Sequence, residues 1–175
     1  MTDSIKSKIR TIPHWPKKGV MFRDITSLLI DPLGFHETID LLHNRYCKEN
    51  IDAIVGIESR GFIVGAPLAY LLNCGFIPIR KPGKLPGEVV CEEYALEYGT
   101  DKIEIHKDAI KKGDRIVIVD DLLATGGTAN AAGNLVKKLG GEIIEFTFVV
   151  ELPDLKGREK IKGEQIYSIV AFEGE

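Results

Sequence analysis

An α/β fold built on a mainly parallel sheet is predicted by three features of this 175-residue sequence. Short apolar runs such as Ala53–Ile57 are bounded by charge, as strands buried on both faces are. Longer segments with apolar residues at helical spacing lie between them. Turn-forming punctuation separates the two at regular intervals, the rhythm of alternating strands and helices.

The first clear helix opens at Asp31-Pro32, where Asp can cap and Pro suits the first turn, and Phe35, Ile39, Leu42 and Tyr46 form its core stripe. Ala53–Ile57 follows as a buried strand, then a helix over residues 61–72 and a strand over 76–79. At Arg80 the character changes. Lys81-Pro82-Gly83-Lys84-Leu85-Pro86-Gly87 is basic and rich in breakers, which predicts a mobile loop and no packed element. Residues 89–94 and 102–106 carry β-type side chains around a turn at Gly99, a hairpin that extends the loop. Beyond it come a strand over 115–119, a helix over 128–139, a stop at Gly140-Gly141 and a strand over 143–150.

Length and composition fit a single domain over residues 1–175: hydrophobic residues make up 44% and charged residues 28%, far from the regime of disordered chains. A net charge of −3 argues against nucleic-acid binding, which needs clustered excess cations. No segment approaches the roughly 20 apolar residues of a membrane span, and residues 1–16 lack the apolar stretch of a secretory leader. Cys47, Cys74 and Cys91 form neither a CxxC pair nor a disulfide framework, so a reducing cytoplasm is expected. His14, His36, His43 and His106 have no metal-ligand spacing.

Residues 116–128 carry the strongest chemical signal: Ile-Val-Ile-Val-Asp-Asp-Leu-Leu-Ala-Thr-Gly-Gly-Thr, a strand feeding a glycine-rich turn that opens a helix. Backbone N–H groups at a helix start lack intrahelical partners and sit at the positive end of its dipole, so the turn suits a phosphate. Thr125 and Thr128 add hydroxyl donors, while Gly126 and Gly127 let the backbone approach the anion closely. The spacing matches neither a Walker loop nor a dinucleotide turn. Asp120 and Asp121 are expected where the strand ends, so that turning the chain frees both carboxylates. Carboxylates accept hydrogen bonds, so an adjacent pair beside a phosphate suits the vicinal hydroxyls of a ribose 5-phosphate. The competing reading is an acidic strand end before an ordinary loop.

This segment resembles the 5-phosphoribosyl 1-pyrophosphate motif of the type I phosphoribosyltransferases, and more narrowly of the branch that takes adenine. Gly19-Val20-Met21-Phe22-Arg23-Asp24-Ile25, Gly56-Ile57-Glu58-Ser59-Arg60-Gly61-Phe62 and Tyr94-Ala95-Leu96-Glu97-Tyr98-Gly99 agree with the same family. So do Glu151-Leu152 and Leu155-Lys156-Gly157-Arg158-Glu159, which spreads the likeness over nearly the whole chain. The resemblance implies a type I phosphoribosyltransferase fold: a central, mainly parallel sheet flanked by helices, a small hood from residues near 10–30 and 150–175, and a mobile β-hairpin loop near 80–106. The implied reaction moves phosphoribosyl from 5-phosphoribosyl 1-pyrophosphate to N9 of adenine, giving AMP and pyrophosphate, with Mg²⁺ held mainly by the substrate and no direct protein ligand.

By that resemblance, Asp120, Asp121, Ala124, Thr125, Gly126, Gly127 and Thr128 bind the ribose 5-phosphate. Ser59, Arg60, Lys81, Lys84 and Tyr98 meet the pyrophosphate, with Arg60 also catalytic, in a turn where the family holds a non-proline cis peptide. Glu97 corresponds to the family's acid/base at the purine N7 side. Met21, Phe22 and Arg23 would read adenine through the backbone, with Phe22 stacking and Leu152 closing the other face. A homodimer is expected by the same likeness. Two other classes stay open: a relative that takes hypoxanthine, guanine or xanthine, which shares the phosphate cradle, and a non-catalytic sensor of the sugar phosphate that binds nucleic acid.

Overall fold

The computed structural model describes residues 2–95 and 99–174. The chain opens with a short helix α1 (Thr2–Ser7) and an antiparallel pair, β1 (Arg10–Pro13) and β2 (Met21–Asp24), which forms a small sheet of its own. A five-residue helix α2 (Thr26–Ile30) leads into α3 (Pro32–Tyr46). Here Asp31 caps as expected, its carboxylate accepting from the Gly34 amide at 2.6 Å, and Pro32 occupies the first turn.

Next come β3 (Ala53–Ile57), α4 (Arg60–Leu72), β4 (Gly75–Ile79), the hairpin β5 (Val89–Ala95) and β6 (Thr100–His106), then β7 (Arg115–Leu123), α5 (Gly127–Lys138) and β8 (Glu142–Glu151). Two 3-10 turns, Pro153–Leu155 and Gly157–Lys160, precede β9 (Ile166–Ala171). The five strands β4-β3-β7-β8-β9 make one sheet in which every pairing is parallel. The part of residues 150–175 that forms β9 therefore belongs to the main sheet, not to the hood.

Side chains alternate across this sheet. Ile116 and Ile118 enter the cluster under α5 with Val55, Phe146, Phe148, Ala131, Ala132 and Leu135. Val117 and Val119 enter the opposite cluster with Ile54, Val149 and the inner faces of α3 and α4, including Leu42 and Leu68. Covering both faces is what lets β3 and β7 be continuous apolar runs. Glycine sets how closely α4 can lie on the sheet: a Cβ at Gly61 would stand 2.6 Å from the Val119 carbonyl oxygen. Its absence brings the first turn of α4 against the end of β7, and this contact brings the candidate site together.

One expectation is corrected. The strand does not stop at Val119: its register with β8 continues through Asp120↔Phe148, Leu122↔Val150 and Leu123↔Glu151. Leu152 then donates its amide to the Leu123 carbonyl at 2.9 Å. The long partner strand β8 supplies ladder bonds that outweigh the turn preference of two adjacent aspartates. Asp120 and Asp121 are thus strand residues, and a turn is not what frees their carboxylates.

Candidate active site

Strand order in the sheet, counted among its own five members, is 2-1-3-4-5, so the chain reverses direction of build between β3 and β7. In open parallel sheets ligands settle outside the carboxyl ends of the strands at such a switch point. A cavity of ≈ 320 Å³ lies there, lined by Ile57, Glu58, Ser59 and Arg60 after β3 and by Asp120, Asp121 and Leu122 of β7. Lys81, Tyr94, Ile103 and Thr128 complete its wall. A cavity of ≈ 600 Å³ around Arg45 and Glu145 is larger but sits at the opposite, N-terminal strand ends, where the exposed Arg45 already donates twice to the buried Glu145 carboxylate.

Two helices present their N-termini here. Ser59 precedes α4 without a side-chain cap, and the peptide bond Glu58–Ser59 is cis, as the resemblance implied. Gly126 precedes α5, also without a side-chain cap, in the left-handed conformation at φ +78. The first amides of α5 are therefore free to receive an anion. Gly126 is needed for packing as well: a Cβ there would lie 2.3 Å from the Gly157 carbonyl oxygen. Gly126→Ala should therefore cost at least about 1–2 kcal/mol from the left-handed backbone alone. Thermal unfolding should register this as a drop of about 2–8 °C in Tm. An unchanged Tm would mean that the loop relaxes freely away from Gly157.

Every cation at the cavity meets a carboxylate. Arg60 Nε donates to Asp121 at 2.5 Å, and its guanidinium lies 5.9 Å from the Phe22 ring centroid. Lys84 Nζ reaches Glu58 at 2.5 Å, joined there by Arg80 at 3.3 Å and the Lys81 amide at 2.9 Å. Lys81 Nζ pairs with Asp101 and donates to the Tyr94 hydroxyl at 3.2 Å. Asp120 Oδ1 accepts the Asp121 amide at 2.9 Å. Burial, and then the neighbouring Asp121 charge, push the Asp120 carboxyl well above the usual carboxylate range.

Glu58 moves the other way. Burial opposes its charge, yet Lys84, the Lys81 amide and Arg80 outweigh that and hold the carboxyl at about 2, below its ordinary 4.5. A depressed folded-state pKa contributes stability above the unfolded value, and this stability is lost as pH falls through the folded one. The Tm difference between the parent and Glu58→Gln should thus be full above about pH 5 and shrink between about pH 4.5 and 2. A gap independent of pH would detach Glu58 from these cations.

The cavity brings together the expected Ser59, Arg60, Lys81, Asp120, Asp121 and Thr128. Ala124, Thr125 and Gly126 form the turn behind it, between β7 and α5, and Gly127 opens α5. Lys84 is held on Glu58. Of the residues expected to read a base, Phe22 faces Arg60 and packs edge-on against Trp15, with ring centroids 4.4 Å apart. Met21 is half-buried beside it in β2. The Arg23 side chain instead lies over Phe172 at 4.5 Å and donates to the Thr11 hydroxyl, because strand alternation sends it to the other side of β2. Leu152 is buried beside the end of β7. Glu97 and Tyr98 lie outside the described residues.

Glu58 and Tyr94 were not singled out from the sequence, although both stand inside the quoted motifs. The available signal for Glu58 is its place between the β3 run and Ser59-Arg60 in the quoted motif. Tyr94 belongs to the hairpin segment that carries Glu97.

Comparison with known proteins agrees with this geometry. The phosphoribosyl transferase domain model matches residues 24–172. The adenine phosphoribosyltransferase of Chlorobium luteolum is 61% identical over 175 residues, covering 98% of this chain and 99% of that one. The crystal structure of adenine phosphoribosyltransferase from Thermoanaerobacter pseudethanolicus superposes with a TM-score of 0.94 at 51% identity, covering 98% of this chain and 100% of that one. The Saccharomyces cerevisiae enzyme, complexed with an imino-altritol bisphosphate and adenine, gives 0.91 at 42% identity, covering 97% and 98%.

Proposed function

Because this chain belongs to the phosphoribosyltransferase family, we propose that it transfers the 5-phosphoribosyl group of 5-phosphoribosyl 1-pyrophosphate to N9 of adenine, releasing AMP and pyrophosphate in purine salvage. The observation that carries this reading is the convergence of an uncapped α5 N-terminus, the Asp120–Asp121 pair and the Arg60 guanidinium around one cavity.

In this reading the 5-phosphate sits on the amides and hydroxyls of residues 124–128, and the ribose hydroxyls donate to Asp120 and Asp121. Ser59, Arg60, Lys81 and Lys84 face the pyrophosphate. As N9 attacks C1 and the C1–O bond breaks, negative charge gathers on the departing oxygens, where fixed cations stabilise it. Glu97 is assigned to the N7 side of the purine, holding or moving the proton there as N9 becomes bonded, and Tyr98 to organising the closed hairpin. Met21, Phe22, Arg23 and Leu152 are assigned to the base, Arg23 through its backbone.

Mg²⁺ arriving with the substrate supplies charge neutralisation at the pyrophosphate. The hard oxygen donors of Asp120 and Asp121 beside the cavity would suit such a cation. The homodimer reading is supported by the outer face of α4, where Ile63, Tyr70 and Leu71 are exposed, Tyr70 by 84%. No described helix is long and apolar enough to cross a membrane. A reducing cytoplasm suits the three free thiols, Cys47, Cys74 and Cys91.

The test is a competition: protein, Mg²⁺ and 5-phosphoribosyl 1-pyrophosphate with equimolar adenine, hypoxanthine, guanine and xanthine, nucleotides identified by mass. AMP as the sole nucleotide is expected. Another nucleotide would overturn the base assignment, and binding of the sugar phosphate without product would point to a sensor.

A further inference from the structure

The three carboxylates that hold cations at the cavity are not equivalent. Asp121, the partner of Arg60, itself lines the cavity, and Glu58, the partner of Lys84, is fixed by Arg80 and the Lys81 amide. Asp101, the partner of Lys81, stands on β6 outside the lining, opposite Tyr94 in the hairpin register. Its other partners among the described residues are the Lys102 amide at 2.8 Å and the Tyr94 hydroxyl at 3.2 Å. Both members of the Lys81–Asp101 pair are partly exposed, unlike the buried Asp121.

We propose that Asp101 is the resting counter-ion of Lys81: it holds the ammonium at the cavity wall, yields it to the incoming pyrophosphate group and, by competing with that anion, weakens its binding. This rests on the reading of the cavity as a 5-phosphoribosyl 1-pyrophosphate site and adds a residue whose effect is opposite in sign to that of a binding residue. A carboxylate beside the ammonium repels a polyanion placed near it, and the ammonium must leave the carboxylate before it meets a phosphate oxygen. A partly exposed pair is weak, so the exchange is easy. Tyr94 donates to Asp101 independently of Lys81, so the carboxylate keeps a partner after the exchange. The consequence is faster release of pyrophosphate after transfer. Asp101 acts through Lys81, as a positioning residue.

The test compares the full-length parent with Asp101→Asn, using magnesium pyrophosphate as the calorimetric probe and steady-state assays with 5-phosphoribosyl 1-pyrophosphate. The dissociation constant for pyrophosphate and the KM for the sugar substrate should both fall about two- to fivefold, the worth of a partly exposed charge pair. KM for adenine should stay the same. In a Lys81→Met background the same Asp101→Asn change should have no effect on pyrophosphate binding. Weaker or unchanged binding in Asp101→Asn, the outcome of a merely structural aspartate, overturns the proposal, as does equal tightening without Lys81. Calorimetry reads the anion without turnover, so a parent that binds pyrophosphate but makes no AMP sinks the proposed reaction and leaves the Asp101 comparison standing. A parent that binds no pyrophosphate overturns both.

Discussion

Asp120→Asn combined with Asp121→Asn lowers kcat/KM for 5-phosphoribosyl 1-pyrophosphate by about 10²- to 10⁴-fold. Each carboxylate accepts a ribose hydroxyl in the proposed complex, and a hydrogen bond to a charged group contributes about 1.5–3 kcal/mol, so losing two gives that range. The same variant separates function from folding. Asp120 has its carboxyl pushed up by burial and then by Asp121, so the folded state holds its proton more tightly than the unfolded chain does. The sign is therefore unfavourable: ionised Asp120 lowers stability once pH exceeds the ordinary carboxylate range. Asn keeps the oxygen that accepts the Asp121 amide and removes the buried charge, so Tm at neutral pH is held or raised at position 120. Asn at 121 still offers Arg60 an oxygen. Calorimetric binding of the sugar phosphate unchanged in the double variant would remove both residues from the site.

Arg60→Gln is the second large effect, a loss of about 10²- to 10³-fold in kcat/KM, typical of deleting one fixed donor at a charge that develops in the transition state. Because the pyrophosphate charge grows as the C1–O bond breaks, the loss should fall mainly on kcat. A structural cost comes with it, since Asp121, buried at 9% side-chain exposure, loses its guanidinium partner. Asp121→Asn added to Arg60→Gln relieves that buried charge and should restore Tm without restoring the rate. A loss confined to KM, or a rate recovered along with Tm, would leave Arg60 with a role in binding or folding alone.

Much of the frame was legible because local chemistry and global packing agree. Asp31-Pro32 announced α3, and the unbroken apolar run of β3 could belong only to a strand covered on both faces. The end of β7 misled for a physical reason: adjacent aspartates favour a turn, but β8 is long enough to extend the ladder past them. β9 was not read. Tyr167 and Ser168 interrupt its apolar pattern, and its identity as a strand depends on β8 being alongside. The short β1–β2 pair, with Pro13 at its end, likewise shows no period long enough to read.

In the site, residues adjacent in sequence were the easiest to recognise. The turn at 124–128 declares itself through glycine and threonine, and Arg60 through its neighbours. What sequence could not show is convergence across distance: Arg60 onto Asp121, 61 residues away, and Lys81 onto Asp101, which pairs with Tyr94 at the end of the hairpin far from its base. These pairings arise from Gly61 letting α4 press on β7 and from the bridge between Arg80 and Glu104 that ties the basic loop to β6.

The most direct test of the central claim is a crystal structure of the protein with Mg²⁺ and 5-phosphoribosyl 1-pyrophosphate. The expected electron density puts the 5-phosphate on the amides at the start of α5, the ribose hydroxyls on Asp120 and Asp121, and the pyrophosphate beside Ser59 and Arg60. Density for the ligand elsewhere, such as in the cavity around Arg45 and Glu145, or with its two phosphate ends exchanged, would contradict the account.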